Sequence, residues 1–156
     1  MSEPPAWRVL VTGSSGHLGE AVMRVLRSAE AGEDGGIPRP IDLAGIPTDF
    51  TVVAAVGLDT VPGAFTDVVA DIADRSAITR VFADHQINGV IHAATLHKPH
   101  VATHTQQQFV DTNISGTLTL IEAATAAGVA GFVYTSTTSV YSKAVARESA
   151  ATGLPA

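Results

Sequence analysis

The sequence predicts an α/β fold, a parallel sheet wound by helices on both faces, and three observations predict it. β-rich segments recur along the chain and alternate with segments of helical period. The apolar runs inside them are continuous, as in "VLV" at 9–11, which marks strands buried on both faces. A glycine-rich turn joins the first strand directly to the first helix. Strands that alternate with helices run parallel and are joined by right-handed crossovers over the sheet.

The elements follow in order. Arg8 to Thr12 reads as the first strand, and the turn after it holds Gly13, Gly16 and Gly19. From Leu18, the residues Ala21, Val22, Val25 and Leu26 keep helical spacing, and Glu20 stands in the first turn, where it complements the helix dipole. Residues 29–50, rich in glycine and proline, read as a surface insertion. "TVVAAVGLD" at 51–59 supplies a second strand and "TDVVAD" at 66–71 a third. A helix capped by Asp74 runs to about Gln86, and "GVIHAA" at 89–94 is the fourth strand. One long amphipathic pattern from about Val101 to Ala127 ends at Gly128, and "GFVYTS" at 131–136 is the fifth strand. Residues 142–156 read as a loop-like tail.

Composition narrows the function. The 156 residues fit one domain, and 46% apolar against 15% charged residues argues for extensive burial. The net charge is −6 and no basic run exceeds a single residue, which argues against nucleic-acid or anionic-membrane partners. Without cysteine there is neither a disulfide framework nor a thiol nucleophile. The N-terminus lacks the basic patch and apolar stretch of a secretory signal, and no apolar run approaches the roughly 20 residues that cross a bilayer, so a cytoplasmic location is expected.

"VTGSSGHLGE" carries the strongest chemical signal. Glycines between a strand and a helix permit a tight turn, let backbone approach a pyrophosphate, and let the helix pack on the strand with its N-terminus toward the anion. An acidic residue at the end of the second strand accepts hydrogen bonds from ribose hydroxyls and repels a 2′-phosphate. Asp59 stands there, with no Lys or Arg after it until Arg75, which favours NAD over NADP. Asp42 has the better spacing from the glycines but lies among prolines, so Asp59 is preferred. His92, Ala93 and Ala94 close the fourth strand, the alanines small enough for a dinucleotide to lie against backbone; a lone histidine of this kind is more often structural than catalytic. His97, His100 and His104 share a spacing that would suit a metal on a helix, but Pro99 interrupts it and no carboxylate or cysteine completes the shell, so no metal site is expected. That loop follows the fourth strand on the carboxyl side of the sheet, where open α/β folds place ligands, which makes His97 and Lys98 candidates for substrate contact.

"TGSSGHLG" resembles the TGxxGxxG signature of the extended short-chain dehydrogenase/reductase family, the NAD-dependent epimerases and dehydratases. "DI" at 71–72, "HAAT" at 92–95, "NISGT" at 113–117 and "YTSTTSVYS" at 134–142 resemble that family's later motifs in order. The resemblance implies a Rossmann-like fold of about five parallel strands in the order 3-2-1-4-5. It implies a cofactor site at Gly13, Ser14, Ser15, Gly16, His17, Leu18, Gly19, Asp59, Asp71, Ile72, His92, Ala93, Ala94 and Asn113, with Asp71 toward the adenine unless it is a capping residue, and Asn113 supporting the active site. It implies hydride transfer between nicotinamide and a hydroxyl-bearing substrate, commonly a nucleotide sugar, and a catalytic hydroxyl at Thr137, with Ser136 and Thr138 as close alternatives. It further implies that the long helix pairs two copies into a dimer.

The family's Tyr-x-x-x-Lys has no counterpart. Tyr134 is followed four residues on by Thr138 and Tyr141 by Val145. The expectation is therefore a chain interrupted before its catalytic helix, with an apolar surface left open beside the fifth strand. Such a chain binds NAD weakly and turns nothing over. The competing reading is a catalytically silent NAD-binding or sensing module.

Overall fold

Continuous apolar runs become strands because both faces of the sheet are covered. The computed structural model describes residues 6–30 and 51–136. Their elements are β1 (Ala6–Thr12), α1 (His17–Glu30), β2 (Thr51–Asp59), β3 (Val68–Val69), α2 (Arg75–His85), β4 (Gly89–His92), α3 (Gln106–Val110), α4 (Thr117–Ala126) and β5 (Gly131–Tyr134). All strand pairs are parallel and the order is β3-β2-β1-β4-β5, the expected Rossmann-like arrangement.

β1 is the central strand, and its alternate side chains divide the core. Leu10 joins Val56, Leu58, Ile72, Ile78, Phe82, Val90 and Leu120 on the side covered by α2 and α4. Val9 and Val11 join Met23 and Ala55 on the α1 side. Leu10 and Val11 are both fully buried, which is why no polar residue interrupts the run.

Local chemistry sets the helix ends. The Asp74 carboxylate accepts the N–H groups of Ser76 and Ala77 and so starts α2. Gln86 at φ 52° takes the left-handed conformation that ends it. Thr105 and Gln108 cap α3 reciprocally: the Thr105 hydroxyl accepts the Gln108 N–H at 3.2 Å and Gln108 Oε1 accepts the Thr105 N–H at 2.8 Å.

Expectations on element length are corrected for the third, fourth and fifth strands and for the long helix; the fifth strand ends at Tyr134 instead of Ser136. The third strand is only Val68–Val69, because Asp67 pairs with Gly57 through its side chain as well as its backbone. Its N–H donates to Gly57 O at 2.8 Å and its Oδ2 accepts the Gly57 N–H at 2.8 Å. The fourth strand ends at His92 instead of Ala94. The single long helix from Val101 is a 3-10 turn at Lys98–Ala102, then α3, a π-helical turn at Asp111–Gly116, and α4. A π turn carries one residue more than an α turn and recurs at functional sites.

The expected apolar opening is present beside β5. Val133 and Tyr134 are exposed, and a groove lined by Ile121, Ala124, Thr125, Val129 and Phe132 runs between α4 and β5. Among the described residues no helix is long and apolar enough to cross a membrane.

Candidate functional site

The carboxyl ends of β1, β2 and β4 converge on the glycine-rich turn. Gly13 leaves β1 at φ +76°, and a Cβ there would stand 2.7 Å from Ala94 N and 2.9 Å from Ala93 C. The turn is therefore pressed directly on the backbone that follows β4. Its path is fixed from the other side by Leu58 O, which accepts the N–H groups of Gly13 at 2.8 Å and Ser14 at 3.2 Å. Gly19 closes the first turn of α1 so tightly that a Cβ would lie 2.0 Å from Gly13 O.

This geometry sorts the turn's residues. Ser15, Gly16, His17 and Leu18 are exposed at the N-terminus of α1, where first-turn N–H groups lack intrahelical acceptors and attract anions. Ser14 is fully buried, and its hydroxyl lies 3.1 Å from that of Thr66, which itself donates to Val61 O. The Ser14 hydroxyl is thus held inside the fold, beneath the turn.

Asp59, at the end of β2, is bound to the same turn. Its Oδ2 accepts the Ser15 N–H at 3.0 Å and its Oδ1 accepts the Val61 N–H at 3.2 Å. A half-buried carboxylate thus stands beside the helix N-terminus, held by backbone on both oxygens. Asp71 is exposed and its Oδ1 accepts the Ala73 N–H at 2.8 Å, in the turn that precedes the Asp74 cap. Ile72 belongs to the core at 3% exposure and packs against Gly116, so its side chain is turned away from the site.

His92 and Asn113 also point inward. The His92 ring is 1% exposed, with Nδ1 2.7 Å from Thr12 Oγ1 and Nε2 2.9 Å from Thr117 Oγ1. Burial pushes its pKa from 6.5 down to about 4, so the ring is neutral at neutral pH. Asn113, on the π turn, clamps the loop after β4: Oδ1 accepts the Leu96 N–H at 2.8 Å and Nδ2 donates to Leu96 O at 2.8 Å. Both residues hold backbone near the site, and the His92 ring is shut off from solvent. His97 is exposed, and its N–H donates to His100 Nδ1 at 3.0 Å. The rings of His97, His100 and His104 stack edge to face, with centroids 4.6 and 5.4 Å apart. Among the described residues no group of three His, Cys, Asp or Glu is disposed to hold a metal ion. Of Lys98 only the backbone is described, Ser136 is exposed past β5, and Thr137, Thr138 and Asp42 lie outside the described residues.

These motifs occur together in one known family. The sequence model of the "NAD dependent epimerase/dehydratase family" matches residues 9–155. The chain belongs to this family. Among curated members, the UDP-glucose 4-epimerase of Erwinia amylovora is 32% identical over 133 residues, which are 85% of this chain and 37% of that protein. Among solved structures, a short-chain dehydrogenase/reductase superfamily protein from Agrobacterium tumefaciens with bound NAD superposes with TM-score 0.62 at 27% identity, over 85% of this chain and 33% of that one. The UDP-glucose-4-epimerase from Stenotrophomonas maltophila, with bound NAD and formylated UDP-arabinopyranose, gives TM-score 0.61 at 26% identity over 85% and 38%. The chain spans between about a third and two fifths of the length of these relatives.

Within this member of the epimerase/dehydratase family, sequence reasoning missed Thr12, Thr66 and Thr117, whose hydroxyls hold the site's interior. A threonine at a strand end or in a helix looks unremarkable in sequence. The signal that could have found them is the buried polar partner each one serves, His92 or Ser14, which requires a hydroxyl nearby.

Proposed function

We propose that this chain is the cofactor-binding portion of an NAD-dependent epimerase or related oxidoreductase acting on a nucleotide sugar. One observation carries the reading: the exposed N-terminus of α1 and the Asp59 carboxylate are joined through the Ser15 N–H, so a pyrophosphate site and a ribose acceptor form one unit. The N–H groups of His17 and Leu18 at the start of α1 would hold the pyrophosphate, Asp59 the adenosine ribose, and the Ala93–Ala94 backbone would lie under the dinucleotide. NAD, when bound, supplies a carbon that takes up a hydride from a carbinol and can return it. The tyrosine and lysine expected to handle the accompanying proton are not among these 156 residues. A silent NAD-binding module shares this site and differs only in lacking turnover.

Calorimetric titration with NAD and NADP tests the reading. The expected result is NAD binding that exceeds NADP binding, with the preference reduced about tenfold in Asp59→Asn, the equivalent of one charge-assisted hydrogen bond. No saturable binding of either nucleotide at millimolar concentration would refute it.

Exposed Ile114, Leu118 and Ile121 on the outer face of the π turn and α4 support pairing of two copies through that face. Sedimentation equilibrium is expected to show a mass near twice 16.0 kDa, reduced to the monomer in Leu118→Glu; a monomer at all concentrations counts against pairing.

A further inference from the structure

The buried ring of His92 lies on a line of hydrogen bonds whose direction is determined. Asn113 O can only accept, so the Thr117 hydroxyl, 2.9 Å away, donates to it. With its proton committed, Thr117 Oγ1 accepts from His92 Nε2 at 2.9 Å, and that nitrogen carries the hydrogen. In the neutral ring Nδ1 then has a lone pair, which accepts the Thr12 hydroxyl at 2.7 Å. Thr12 Oγ1 in turn accepts the Ala94 N–H at 3.3 Å. Each group is used once, and among the described residues no buried side-chain nitrogen or oxygen lacks a partner.

The ends of this line matter more than its middle. It begins at Ala94, the residue pressed beneath Gly13. It ends at Asn113, whose amide grips both polar backbone atoms of Leu96, while Oδ1 also accepts the Thr95 hydroxyl at 3.2 Å. The segment Ala94–Leu96 is thus fastened at both ends, through residues on β1, β4 and the π turn. Phe132 and Tyr134 pack around the same ring, with centroids 6.3 and 5.5 Å away. The gap asks for a rigid group with an acceptor on one edge and a donor on the other, which neutral imidazole provides.

We propose that His92, fixed as the Nε2–H tautomer by Thr117, is a positioning residue that sets the height of the Ala94–Leu96 ledge on which the cofactor lies. This rests on the NAD reading for its ligand, and on the hydrogen-bond geometry alone for the ledge.

The experiment compares this chain with its Thr117→Val and Thr117→Ser variants. Long-range 1H–15N spectra of His92 report the tautomer, amide hydrogen exchange reports Ala94 and Leu96, and calorimetry reports NAD affinity. The parent and Thr117→Ser are expected to show Nε2–H imidazole and slow exchange. Thr117→Val, similar in shape but without the hydroxyl, is expected to lose the single tautomer, to exchange Ala94 and Leu96 about tenfold faster, and to bind NAD about tenfold more weakly. Ile78→Ala, a remote core change, serves as the control that loses stability yet keeps parental NAD affinity. Parental tautomer, exchange and affinity in Thr117→Val would overturn the proposal, as would an Nδ1–H ring in the parent, which needs no variant to fold. Were the parent not to bind NAD, the cofactor reading would fail, and tautomer and exchange would still decide whether His92 sets the ledge.

Discussion

Gly19→Ala is expected to lower the thermal unfolding midpoint by roughly 10 °C, equivalent to about 3 kcal/mol or more. The added methyl would sit 2.0 Å from Gly13 O and 2.6 Å from Gly13 C, both backbone atoms of a turn that Leu58 O holds in place. Neither side can yield without moving β1 or α1. Gly128→Ala is the matched control. Its φ of +66° is strained for alanine, but no atom lies within 4 Å of the new methyl, so the cost is confined to backbone conformation at about 1 kcal/mol. A Gly19→Ala midpoint no lower than that of Gly128→Ala would show that the turn is compliant and that the close approach of helix to strand is not structural.

The second large effect is a dependence of stability on pH centred on His92. Its folded pKa of about 4 lies below the unfolded 6.5, so between those values the unfolded chain binds a proton that the folded protein refuses. Stability from this group is complete above about pH 6.5 and is lost as pH falls toward about 4, by up to about 3 kcal/mol. Urea unfolding of the parent and of His92→Gln across that interval isolates the contribution, because glutamine does not titrate and the carboxylates are common to both. The parent is expected to lose the larger amount. Equal losses would refute the assignment, and so would a His92 titration midpoint near 6.5 in the folded parent, read directly from its imidazole resonances.

Local chemistry was legible in the sequence where both partners lie close along the chain. The run through Leu10 and Val11, the glycine turn opening α1 and the Asp74 cap all follow from neighbours within a few residues, while the strand order follows from the family resemblance that the motifs carry. What sequence did not disclose depends on distant partners. The Ser14 hydroxyl meets that of Thr66 across 52 residues of chain, and His92 faces Thr12 across 80. β3 reads as six residues because "TDVVAD" has strand composition, and only the proximity of Gly57 shows that the Asp67 side chain ends the pairing. Asp59 stands at the end of β2, as its sequence context indicates, but its bonds to Ser15 and Val61 depend on how the turn folds over it. The helix before β5 reads as continuous because the usual template assumes 3.6 residues per turn throughout.

The π turn at Asp111–Gly116 changes how this chain tolerates the gain or loss of a residue. In a straight α-helix each residue adds about 100° of rotation and 1.5 Å of rise. A π turn absorbs one extra residue without that rotation, so removing one residue from the turn would restore an α turn and leave Leu120 and Ala124 against the sheet, whereas the same loss inside α4 would carry them off it. Aligning relatives across this stretch by hydrophobic period alone will therefore slip by one position, within the turn that holds Asn113.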